Sequence, residues 1–92
     1  MNADVREIAE RAIREIREEL YREPDGGYDC DIIMTLDLYH ALQAVPDNWI
    51  YYHGFNSSPM ITMFGRPVVT VNRPGFSYWI SRERRISANP AV

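Results

Sequence analysis

Ninety-two residues, 46% hydrophobic and 25% charged, fit one small domain with a single core; they exclude a two-domain protein and argue against disorder along most of the chain. Ten basic residues, all arginine, stand against thirteen acidic ones for a net charge of −3, which argues against nucleic acid as a partner because the basic footprint is missing. One cysteine, Cys30, excludes an intrachain disulfide and a cysteine-rich zinc site, and no run approaches the roughly 20 apolar residues of a membrane span.

The charge is uneven: residues 1–31 hold five Arg and ten Asp or Glu, net −5, and residues 32–92 five Arg and three acids, net +2. Such a split can steer association with a partner or with copies of the chain; a solvated charged helix face is the plainer explanation. The N-terminus, Met1-Asn2-Ala3-Asp4, lacks a basic start followed by an apolar run, so no export by that route and no membrane anchor are expected.

Val5, Ile8, Ala9, Ala12, Ile13, Ile16 and Leu20 recur at steps of three and four, which predicts an amphipathic helix from about Asp4 to Arg22. Asp4 with Glu7 resembles a capping pair, and Pro24 followed by Asp25-Gly26-Gly27 stops the helix. Glu7 and Arg11, Glu10 and Arg14, and Glu18 and Arg22 stand four apart, each pair adding about 0.3 kcal/mol. The stripe is broader than a heptad seam and suits packing on a sheet.

Cys30-Asp31-Ile32-Ile33-Met34 reads as a strand. Thr35 follows as an N-cap with Asp37 in the first turn, opening a short helix from Leu36 to Ala44 whose core face has Leu38, Leu42 and Val45. Pro46 ends it. The period then becomes strand-like in Trp49–His53, Met60–Phe64 and Pro67–Val71. Gly54 to Pro59 is a polar loop, Gly65 with Arg66 a tight turn or bulge, and Asn72-Arg73-Pro74-Gly75 a further turn before an edge strand in which Phe76, Tyr78 and Ile80 alternate. The expected organisation is one α+β domain over residues 1–81, a long amphipathic helix and a short one on a small mixed, mostly antiparallel sheet, with a mobile tail at 82–92.

Candidate chemistry is sparse. His40 and His53 lie on different elements with no metal-ligand spacing, and a Cys30–His40–Asp31 nucleophilic site has no local motif behind it. Asp25, Asp29 and Asp31 invite a calcium-loop reading, but the twelfth position from Asp25 is Leu36 where a closing Glu is needed. No catalytic, cofactor or metal residues are assigned, and the chain is read as a non-enzyme that binds protein. The aromatic residues Trp49, Tyr51, Tyr52, Phe76 and Trp79 are the candidate partner surface, because exposed rings concentrate at protein interfaces.

Met63-Phe64-Gly65-Arg66-Pro67-Val68-Val69 resembles the apolar, Gly, any residue, Pro, Val, Val signature found late in the major capsid proteins of tailed phages, the Hong Kong 97 type of fold. The likeness runs backward in the same order through an aromatic-bearing, N-capped helix at Thr35 with Tyr39, the strand at Ile32–Met34 and the helix Val5 to Leu20, so it covers roughly residues 4–72. The segment corresponds to the axial domain of the coat protein, which meets its neighbours at the capsomer centre. The N-terminal arm, extended loop and spine helix of a full coat protein have no counterpart here. The resemblance implies structural roles for Phe64, Gly65, Pro67 and Val68, which place a strand after a turn. It also implies a phage or prophage protein acting through capsid-like contacts in assembly or its modulation, in the virion or the host cytoplasm, with homo-oligomers among its expected forms. The alternative it leaves is a small phage protein that binds a host or defence protein.

Overall fold

The computed structural model describes residues 2–53 and 60–82. The expected loop at 54–59 and nearly all of the expected tail lie outside them. Helix α1 spans Asn2–Arg22 and helix α2 Leu36–Gln43; the strands are β1 Asp31–Thr35, β2 Ile50–His53, β3 Met60–Met63, β4 Arg66–Val71 and β5 Tyr78–Ser81. They form an α+β fold with one five-stranded mixed sheet in the order β2-β3-β4-β1-β5. β1 runs parallel to β4 and every other pair is antiparallel.

The apolar stripe of α1 supplies five of the twelve residues of the buried core cluster. Ala9, Ala12, Ile13, Ile16 and Leu20 are buried against Ile32 and Met34 of β1, Leu38, Ala41 and Leu42 of α2, Val45, and Met63 of β3. Alternate strand residues face opposite sides of a sheet, and Ile32, Met34, Arg66 and Met63 all fall on one side by register. Both helices therefore cover the same face. No described helix is long and apolar enough to cross a membrane.

α1 begins two residues before the expected Asp4, which puts Asp4 inside the first turn, where its charge complements the helix dipole. Glu10 turns back to Arg6 at 3.1 Å rather than forward to Arg14. The helix stops where Pro24 opens a tight turn over Pro24–Gly27 with three successive left-handed residues, Asp25, Gly26 and Gly27, at φ 61°, 67° and 74°. At Gly27 an added Cβ would lie 2.9 Å from Leu20 Cδ2. Gly26 and Gly27 adopt these left-handed angles without the strain a side chain would bring, which suits the run to the path from α1 into β1.

Thr35 joins three elements. Its hydroxyl accepts the Leu38 N–H at 3.3 Å as the cap of α2, accepts the Ser77 N–H at 3.2 Å, and donates to the Gly75 carbonyl at 2.6 Å. Its own N–H donates to the Ser77 carbonyl at 3.0 Å, and Asp37 accepts the Gly75 N–H at 3.1 Å. One fully buried side chain thereby ends β1, starts α2 and holds the segment that enters β5. Thr35→Val keeps the shape and removes the hydroxyl, so it should cost about 2 kcal/mol in urea unfolding, whereas Thr35→Ser should cost less than half of that.

Candidate protein-binding surface

The face of the sheet opposite the helices has no covering layer among the described residues. Register puts Ile33, Pro67, Val69, Val71, Trp79, Tyr51 and Met60 on it. Tyr51, Met60, Val69 and Trp79 are exposed, the last two by 43% and 37%, and Ile33, Pro67 and Val71 are half-buried. A solvated sheet face ordinarily alternates to polar residues; this one has an apolar or aromatic residue on each of its five strands, with Asp31, His53, Thr62 and Ser81 beside them on the same side. Thr62, also on this side, is shielded by His53, whose Nε2 lies 3.0 Å from Thr62 Oγ1. The guanidinium of Arg73 stands 5.7 Å from the Trp79 ring centroid, a cation over an aromatic face.

The five aromatic residues singled out in the sequence are all exposed, yet they do not form one patch. Tyr51 and Trp79 share the open face, near its two edges. Tyr52 follows Tyr51 on β2, points to the opposite side and is 70% exposed, because the helices do not reach that far along the β2–β3 ribbon. Trp49 stacks on Phe64 with centroids 5.7 Å apart, and its carbonyl accepts the Phe64 N–H at 3.2 Å. Phe76 lines a concavity of about 380 Å³ with Val5, Arg6, Asp37, His40, Ala41 and Ala44, at the joint of the two helices. Val69 and Met60 belong to the open face and were hidden in the sequence, where they read as ordinary strand residues.

The Met63–Val69 segment forms a two-residue hairpin. The turn falls on Phe64 and Gly65, with φ 54° and 81°, rather than on Gly65 with Arg66. Two successive left-handed residues match the right-handed twist of the flanking strands. Phe64 is an unusual choice for the first of them, since a bulky residue there costs about 1 kcal/mol or more; its stack on Trp49, itself at φ 63°, holds it. Pro67 and Val68 follow in β4, Pro67 opposite Thr62 and Val68 opposite Ile32.

Arg66, freed from the turn, is buried to 7% exposure. Its guanidinium donates to the carbonyls of Phe64 and Gly26 and lies 3.8 Å above the Tyr28 ring. The hairpin turn is thus bolted to the α1–β1 connection. A forked, planar cation can serve two carbonyls and a ring at once; an ammonium cannot. On the same helix-covered face, at the β5 edge, the Tyr78 hydroxyl lies 3.2 Å from both Glu15 and Glu19 of α1, so its single proton serves one carboxylate at a time. Burial first, and then the charges of Glu19 and Glu15, push the phenol well above its ordinary value.

No group of three or more His, Cys, Asp or Glu side chains able to hold a metal ion is present among the described residues. Cys30 is buried and takes part in no disulfide. The arrangement offers apolar and aromatic contact area with arginine beside it, the composition from which protein interfaces take their strongest contacts.

Arg66→Lys should lower stability by about 1–3 kcal/mol, read from chemical denaturation, because one carbonyl and the stacked ring lose their partner. The Tyr78 phenol of the unfolded chain ionises near pH 10.0 while the folded one holds its proton longer. Its contribution is complete below that pH and is lost as pH rises beyond it. Melting temperature should accordingly fall more steeply above about pH 10 in the native chain than in Tyr78→Phe. No family model, curated protein or solved structure matches the chain, so the functional reading rests on the geometry and on the motif order.

Proposed function

We propose that this chain is a non-enzymatic phage or prophage protein that acts through protein–protein contacts in capsid assembly or its modulation, with an axial-type domain. The observation behind the binding role is the open sheet face: seven apolar or aromatic residues on five strands, with no layer over them among the described residues. An exposed apolar patch of this kind marks a surface that meets another protein. The phage assignment is supported by order along the chain. A long helix, a tight Gly-containing turn, a strand, a Thr-capped helix and the Met63–Val69 hairpin follow one another as in the coat-protein segment that the sequence resembles.

The test is affinity capture from cells carrying the encoding phage or prophage, with the native chain and a Tyr51→Glu/Val69→Glu variant whose melting temperature matches it. Recovery of coat protein by the native chain, reduced about tenfold or more in the variant, is the expected result. Recovery of one host protein in its place would move the reading to a modulator of that host protein. Equal capture by both chains would remove the open face as the binding surface.

A further inference from the structure

β5 is a sheet edge whose outward hydrogen-bonding groups are free among the described residues. The bond from Thr35 N–H to the Ser77 carbonyl sets the phase of the β1–β5 ladder. Counting in steps of two along the register Ile33↔Trp79 and Asp31↔Ser81, residues 77, 79 and 81 aim their backbone groups at β1, and Tyr78 and Ile80 aim theirs away from it. No bond to a turn, loop or side chain takes the backbone of Tyr78 or Ile80.

Natural edges are protected by a proline, a charge or a bulge. The run Tyr-Trp-Ile-Ser has none of these, and its pairing with β1 is regular. The opposite edge of the sheet is treated differently. There Phe64 N–H to Trp49 carbonyl sets the phase, so that Ile50 and Tyr52 face outward, and the Ile50 N–H is already taken by Asn48 Oδ1 at 2.9 Å.

We propose that β5 is a dimer strand, pairing antiparallel with β5 of a second copy about a two-fold axis that passes through Trp79 normal to the sheet. Such an axis keeps each face on its own side, so residues can pair only with others of the same parity. Centring on Trp79 sets Tyr78 of each copy against Ile80 of the other. All the outward N–H and C=O groups of both residues are then used, in four bonds. Centring on Ile80 would leave two bonds within the strand, which is why the Trp79 register is favoured.

Self-pairing fits the chemistry in two further ways. The strand has no charge to repel its copy, and the first charged residue after it, Arg82, is held within its own chain by Glu23 at 2.8 Å. The two Trp79 rings meet on the open face at the closely spaced, non-hydrogen-bonded position, where aromatic cross-strand pairs add stability. Ile33 and Val69 lie beside Trp79 in register, so the dimer doubles the apolar strip and joins two five-stranded sheets into one of ten. The proposal is independent of which partner the open face binds.

Light scattering across a concentration series should show the mass of the native chain doubling between about 1 and 100 μM, since one strand pair makes a small interface. Across the axis the Trp79 Cα atoms stand about 4.5 Å apart, within disulfide range. Trp79→Cys should therefore oxidise to a covalent dimer, while Val69→Cys, two strands inward on the same face, should not; buried Cys30 gives the native chain as the control. Ile80→Pro, which deletes an outward N–H and none facing β1, should lower the dimer fraction at 100 μM about tenfold. A native chain that stays monomeric at every concentration, or a dimer that cross-links through Val69→Cys as readily as through Trp79→Cys, would overturn the proposal.

Discussion

The fold depends on β1. It is five residues long, pairs on both edges, parallel with β4 and antiparallel with β5, and buries Ile32 and Met34 completely beneath α1 and α2. Its last residue, Thr35, then uses one hydroxyl to cap α2 and to fix the segment that leads into β5. A buried hydroxyl that both donates and accepts leaves little freedom for its partners, because each bond it gives up would strand a desolvated polar group. Chain segments about 40 residues apart are thereby brought together at one point. The second such junction, Arg66 between the Gly26 turn and the Phe64–Gly65 turn, fixes the hairpin to the body.

Covering the sheet on one side only has a physical consequence for function. The helices bury the larger aliphatic residues, while the other face keeps Ile33, Val69, Val71 and Trp79 in contact with solvent. Parallel strand pairs are usually covered on both faces, and β1 with β4 is such a pair. A protein that leaves this side open retains apolar area whose burial by a partner would contribute favourably at about 25 cal/mol per Å² before the costs of association. The candidate aromatic residues fall into four regions, the open face with Tyr51 and Trp79, the helix side of β2 with Tyr52, the Trp49–Phe64 stack and the Phe76 concavity. A single flat interface cannot use all of them, and the open face is the one that spans the sheet.

The local signals of the sequence were the informative ones. The stripe Val5 to Leu20 named the core face of α1 because a period of 3.6 survives any tertiary context, and Thr35 was legible as a cap because a β-strand ending in Thr before Leu-Asp is a local chemical pattern. The turn at Phe64–Gly65 was displaced by one residue in the sequence reading, since aromatic residues seldom adopt positive φ and the stack with Trp49 that permits it is 15 residues away. Arg66 reads as a turn residue in the sequence for the same reason: its partners at Gly26 and Tyr28 belong to the other half of the chain. Which face of the sheet stays open was not legible, because a run such as Pro67–Val71, apolar on both parities, reads the same whether one side is covered or two.

The central claim is that this sheet is covered on one side, and solvent paramagnetic relaxation of side-chain methyl protons in dilute monomeric protein tests it directly. A soluble paramagnetic probe should broaden the methyls of Ile33, Val69 and Val71 strongly and leave those of Ile32, Met34 and Leu42 sharp. Equal protection of both sets would contradict the account, since it would require a layer over the face now described as open.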